Sequence, residues 1–69
     1  MSFGKNPHIA KAEAAEQKAL AALDVPAREQ GWLEAGRQWE RASDRETDPK
    51  RRQLYADKAA AARIAAEAE

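Results

Sequence analysis

Apolar residues recur at every third or fourth position through three segments of this 69-residue chain, the spacing of one face of an α-helix. The pattern predicts helices over about residues 7–23, 26–43 and 49–67, after an N-terminal tail of residues 1–6. Phe3 in this tail either belongs to a frayed terminus or folds back over one end of the helices. We favour the second, because large core residues are few.

Three prolines mark the helix starts. Proline is favoured in the first helical turn, and an Asn or Asp just before it accepts a hydrogen bond from a free backbone N–H. The three sites read Asn6-Pro7, Asp24-Val25-Pro26 and Thr47-Asp48-Pro49. The connections between the helices are short, so consecutive helices are expected to be antiparallel neighbours.

Each predicted helix has an apolar side that we expect to be buried. In helix one this side comprises Ile9, Ala12, Ala19, Leu20 and Leu23, with Glu16 interrupting it. In helix two it comprises Trp32, Ala35, Gly36, Trp39 and Ala42. In helix three it comprises Leu54, Tyr55, Ala61, Ala62, Ile64 and Ala65.

The composition makes this core thin. Eighteen of the apolar residues are alanine and twelve are larger, so the core is expected to depend on the two tryptophans. A chain of this length obtains only about 3–5 kcal/mol of stability from its core. The sequence therefore predicts an all-α, three-helix antiparallel bundle, a single domain over residues 1–69 that is marginally stable alone.

The stretch Trp32–Trp39, which reads WLEAGRQW, resembles the first helix of a tetratricopeptide repeat, a family with Trp, then Leu-Gly or Ala-Gly, then Tyr at this spacing. Pro26 is similar to the proline that ends a repeat, and Ala14 and Ala21 fall where the preceding helix has small residues. The likeness covers about Ala14 to Ala42 and implies a protein-interaction module with tetratricopeptide-like helix packing; a plain three-helix bundle is the alternative. Such modules generally stack about three repeats, and this chain holds at most one and a half.

One candidate face and one charge cluster stand out. The candidate face comprises Trp32, Gly36, Trp39 and Tyr55. It is interpreted either as core or as a protein-binding surface, because tryptophan is enriched at interface hot spots. The cluster is a weak basic patch, read mainly as a solvated face because cations are disfavoured in a first helical turn; it comprises Arg45, Lys50, Arg51 and Arg52.

Charge and residue types argue against most chemistry. Twelve basic and twelve acidic residues cancel, so we expect no membrane partner, and the net charge does not favour nucleic acid. The chain has no cysteine and no glycine-rich phosphate loop, and His8 lacks convergent partners in the sequence. We therefore expect no enzyme activity, no catalytic or metal site and no cofactor, and a cytoplasmic location in the absence of a recognisable signal peptide.

The leading functional prediction is a small helical adaptor that binds another protein. The runner-up is a self-associating structural protein, with a homodimer formed through the alanine-rich third helix. A nucleic-acid accessory protein acting through the basic patch is the weakest alternative.

Overall fold

The computed structural model describes residues 6–68, which form three α-helices and short connections. Helix α1 spans Pro7–Ala21, α2 spans Val25–Arg45 and α3 spans Pro49–Ala68. The predicted all-α, three-helix class is confirmed. Residues 1–5, and with them the expectation for Phe3, lie outside the described residues.

Side-chain caps begin all three helices. The Asn6 carboxamide oxygen accepts a hydrogen bond from the His8 N–H at 3.1 Å, and an Asp24 carboxylate oxygen accepts one from the Ala27 N–H at 3.0 Å. Asp48 does the same for the Arg51 N–H at 2.9 Å. Because the first N–H groups of a helix have no partner within it, these bonds fix where each helix begins.

The first helix is shorter than the sequence predicted. Ala22 is extended, with ψ near 140°, so α1 ends at Ala21 and Leu23 lies in the turn. Asp24 is the N-cap of α2, and an N-cap residue has an extended backbone. Helix α1 therefore cannot continue for another turn. The second helix begins one residue earlier and ends two residues later than predicted.

Helix α2 lies in the middle, with α1 along one side and α3 along the other, each antiparallel to it. Asn6 Nδ2 donates to the Ala42 carbonyl at 2.9 Å, which joins the start of α1 to the end of α2. Ser43 Oγ lies 3.1 Å from the Arg52 carbonyl oxygen and joins α2 to α3. The chain measures 38 × 22 × 12 Å, because α1 and α3 flank α2 and make few direct contacts.

The interior of this flattened bundle is mostly alanine. Trp39 and Tyr55 supply its aromatic rings, and Ile9 and Trp32 pack against it from the edge. The buried alanines are Ala12, Ala15, Ala19, Ala35, Ala42, Ala59, Ala62 and Ala66. Helices in contact through methyl groups approach closely, so the small side chains occupy the contacts and larger ones are displaced outward.

That displacement corrects several predicted core positions. Leu20 is 66% exposed, Leu23 is 97% exposed and Ile64 is 66% exposed, although all three were expected inside. Leu54 and Ala61 are also exposed. The buried side of α3 follows a different line, which comprises Tyr55, Ala59, Ala62 and Ala66.

At Gly31 the backbones of α1 and α2 approach closely. A Cβ atom added there would lie 2.8 Å from both Cα and Cβ of Ala19, inside the contact distance of α1 backbone. A Cβ added at Gly36 would instead lie 3.5 Å from its nearest neighbours, the Ala59 carbonyl oxygen and Arg63 Cγ, which is ordinary van der Waals contact. The α1–α2 contact therefore requires glycine, whereas the α2–α3 contact accepts alanine.

Gly31→Ala is expected to destabilise the protein by about 1–3 kcal/mol, because α1 must shift to admit the methyl group. Gly36→Ala is the matched control and is expected to stabilise it by about 0.5–1 kcal/mol, the usual gain of replacing a mid-helix glycine. Urea unfolding followed by far-UV circular dichroism measures both free energies. A Gly31→Ala variant as stable as the parent would contradict the close approach.

Candidate functional site

Trp39 joins all three helices. Its side chain is 2% exposed, and its indole Nε1 donates a hydrogen bond to Glu16 Oε2 on α1 at 2.7 Å. Its ring stacks on Tyr55 of α3, with centroids 5.7 Å apart and planes 23° from parallel. The Lys58 ammonium lies 5.1 Å from the ring centroid, a cation–π distance. Trp39 is thus a structural residue, held by one contact to α1 and two to α3.

Glu16 interrupts the predicted apolar stripe of α1 because the stripe faces an indole N–H. A buried donor without an acceptor costs about 1–3 kcal/mol, and the Glu16 carboxylate supplies that acceptor. Glu16 is therefore a half-buried residue that bonds to the core and not an ordinary surface acid.

The apolar end is the surface formed by Leu20, Leu23, Val25 and Trp32 around the α1–α2 turn. Val25 is 45% exposed, and Trp32 is half-buried against the edge of the core. Val25, Trp32 and Trp39 are spaced seven residues apart, so they follow one line along α2. Leu20 lies one turn beyond Glu16 on the side of α1 that faces Trp39. Large apolar side chains are therefore exposed on three neighbouring segments.

The predicted face of Trp32, Gly36, Trp39 and Tyr55 divides in the structure. Gly36, Trp39 and Tyr55 are buried between helices, and Trp32 retains an exposed edge. Leu20 and Leu23 were missed as surface residues because leucines in an apolar repeat are expected to be inside, and Val25 belonged to no predicted buried side.

A second surface lies between α1 and α2. It is an open groove of about 620 Å³, which we call the basic groove. Its α1 side carries Lys11 and Lys18 and its α2 side carries Glu34 and Arg37, while alanines and Gly31 form much of the rest. Another open groove of about 450 Å³ lies between α2 and α3, beside Glu40 and Arg63. Those two side chains form an ion pair between the helices.

A chain of hydrogen bonds borders the basic groove. His8 Nδ1 lies 2.9 Å from Gln38 Oε1, and Gln38 Nε2 donates to Glu34 Oε2 at 2.8 Å. Arg37 Nη2 donates to the other Glu34 oxygen at 2.8 Å. The bond from Gln38, followed by the one from Arg37, lowers the pKa of Glu34 below its ordinary value. Because Gln38 presents its oxygen to His8, Nδ1 of His8 carries a proton in this arrangement.

The predicted basic patch is partly engaged in the α2–α3 turn. Arg51 forms an ion pair with Glu46 at 3.2 Å, and Arg52 Nε donates to the Glu46 carbonyl at 3.0 Å. The Asp48 N–H donates to the Glu46 carboxylate at 3.0 Å; this bond and the one from Arg51 lower the pKa of Glu46. Arg45 and Lys50 are exposed.

Within residues 6–68, no three His, Cys, Asp or Glu side chains converge as a metal-binding group. Glu13 is exposed on α1, apart from the groups described above. In the same residues, no helix has both the length and the apolar character needed to cross a bilayer.

Comparison with protein-family models, with curated proteins and with solved structures found no match to this chain. The candidate surfaces are therefore defined by the geometry of this structure itself.

Trp39→Phe is expected to destabilise the protein by about 1–3 kcal/mol, because the Glu16 carboxylate loses its donor and the ring shrinks. Trp32→Phe is the matched control, and its partly exposed ring predicts a loss below about 1 kcal/mol. Chemical unfolding monitored by circular dichroism compares the two. Equal losses would contradict the assignment of Trp39 as the residue that joins the helices.

Glu46→Gln tests the charge at the α2–α3 turn. A lowered pKa in the folded state means that ionised Glu46 stabilises folding above the ordinary value of 4.5, and this contribution disappears as pH falls through the folded-state pKa. The parent should melt at a higher temperature than the variant at neutral pH, and the gap should close in acid below that value. Thermal melts across this pH range measure it, and a gap independent of pH would contradict the ionic contribution.

Proposed function

We propose that this chain is a small, non-catalytic helical interaction module that binds another protein through its apolar end. The observation that carries the proposal is the exposure of Leu20, Leu23 and Val25, at 66%, 97% and 45%, around the α1–α2 turn. Trp32, two turns further along α2, is only partly buried. Full burial of a leucine side chain contributes about 1.5–3 kcal/mol. This chain forgoes that gain within its own fold, although its core is small and mostly alanine.

The side chains at the apolar end suit an interface. Tryptophan is enriched among interface hot spots, and the neutral contacts around a hot spot act by excluding water from it. Trp32 is held in place by its contact with the core, so little conformational entropy is lost when a partner covers its exposed edge.

The dimensions favour a partner with an apolar cleft over a second copy. Across its long axis the backbone of the bundle measures only 22 × 12 Å, so its end is narrow. A stable interface buries about 800 Å² on each partner, more than a flat end-to-end contact between two copies supplies. A cleft that encloses the end also covers its sides and reaches Trp32. Self-association is the alternative, since the zero net charge opposes neither kind of contact.

Three further expectations belong to this proposal. A tetratricopeptide-like arrangement is supported by antiparallel neighbouring helices with small residues at their contacts. Non-catalytic action is supported by the hydrogen bonds of Glu16, Gln38 and Glu46. Their side chains bond to other groups of the fold. The cytoplasm stays the predicted location. Nucleic acid is not proposed as the partner, because Arg51 and Arg52 bind Glu46.

A photo-crosslinking amino acid at position 23, in protein expressed in its native host, tests the proposal. We expect a discrete covalent adduct whose partner mass spectrometry identifies, and none from the same group at the exposed position 60 of α3. The purified partner should then bind the parent in calorimetry, with a loss of at least about tenfold in affinity for the Leu20→Glu/Leu23→Glu variant.

The double variant should retain the circular dichroism spectrum of the parent, because both leucines are exposed. Equal binding of the purified partner to parent and variant would contradict the proposed surface. Sedimentation velocity on the isolated chain tests the alternative: a dimer that the same two substitutions dissociate would replace the hetero-partner with a second copy.

A further inference from the structure

The basic groove between α1 and α2 has the shape and charge of a second binding surface. Its small residues, among them Ala14, Ala15, Ala22, Ala27 and Gly31, leave open space between two rows of longer side chains. From Lys11 to Lys18 the groove follows α1 for about 10.5 Å, or two helical turns, and it continues past the end of α1 to Ala22. A channel of this length is suited to a segment that runs along the helices.

The charges around this groove do not cancel. Lys11, Lys18 and Arg37 supply three positive charges and Glu34 supplies one negative charge, although the whole chain has a net charge of zero. Arg37 and Glu34 pair with each other, at 2.8 Å. Among residues 6–68, neither lysine forms an ion pair. The ammonium groups of the two lysines on the α1 side are therefore available to pair with an acidic group outside the fold.

We propose that the basic groove binds an acidic amphipathic helix of a partner protein. Lys11 and Lys18 are seven residues apart, which puts them on one side of α1 at a separation of about 10.5 Å. Acidic residues at positions i and i+7 of a bound helix match that separation. A face of alanine or leucine between them lies on the small residues of the groove, which allow close approach of a helix backbone.

This surface is distinct from the apolar end and does not rest on the function proposed above. The groove uses the side of α1 that carries Lys11, Ala14 and Lys18, whereas Leu20 belongs to the side that faces Trp39. A partner could therefore occupy one surface while the other stays open.

The test uses a stapled helical peptide of about 18 residues, with glutamate at i and i+7 and an alanine–leucine face between them. It is titrated into the ¹⁵N-labelled full chain. We expect saturable binding with a Kd below about 1 mM, and amide shift changes at Ala14, Ala15 and Gly31. A peptide with glutamine in place of both glutamates should bind at least about tenfold more weakly.

Two charge-matched variants separate a specific site from general attraction. Lys11→Gln/Lys18→Gln removes both groove lysines, one of them in the last turn of α1. Arg45→Gln/Lys50→Gln also removes two cations, one of them in the last turn of α2. We expect the first variant to lose at least about tenfold in affinity and the second to stay within about twofold of the parent.

Equal losses in the two variants, equal binding of the glutamate and glutamine peptides, or no binding at all would each overturn the proposal. Shift changes confined to Leu20, Leu23 and Trp32 would also overturn it, while supporting the apolar end as a peptide site. A single-stranded RNA oligonucleotide that displaces the peptide and binds more tightly would assign the groove to nucleic acid instead.

Discussion

The packing of Trp39 is the interaction on which the other contacts depend. Alanine side chains bury little area, and each buried methylene-sized group contributes only about 0.8 kcal/mol. One indole ring, by contrast, buries about 150–250 Å² and here touches Glu16 and Tyr55 on opposite helices. Since α1 and α3 make few direct contacts, the central helix must hold both, and Trp39 is its one large side chain that is fully buried among the described residues.

The sequence was informative where the physics is local. A helix start depends on a cap and a proline within a few residues, so Asn6, Asp24 and Asp48 could be found without knowledge of the fold. The short connections then required antiparallel neighbours. The end of α1 was harder to predict. Leu23 extends the apolar repeat, but the next residue is the N-cap of α2, which requires an extended backbone there.

Burial depends on which helices meet, and for that reason it was harder to predict. A helix that carries a row of alanines and a row of leucines has two sides that could be buried. Hydropathy alone predicts that the leucine side is buried. The close contact of Gly31 with Ala19 selects alanine instead, because only small side chains fit there. Glycine within a helix, which costs about 1 kcal/mol relative to alanine, was the available signal. The candidate surfaces follow from this alanine packing. The sequence placed Leu20 and Leu23 on the apolar side of the first helix, but it did not predict that they would be exposed.

An alanine interior also links stability to binding. Close packing places small residues between the helices and leaves Leu20, Leu23 and part of Trp32 outside, so apolar area that could stabilise the isolated chain is available to a partner. Any ligand that binds only the folded state adds RT ln(1 + [L]/Kd) to its stability, about 2.7 kcal/mol at a hundredfold excess over Kd. For a short chain whose core supplies about 3–5 kcal/mol, that increment is comparable to the core itself. We therefore expect the folded population of this protein to depend on its partner as well as on its own packing.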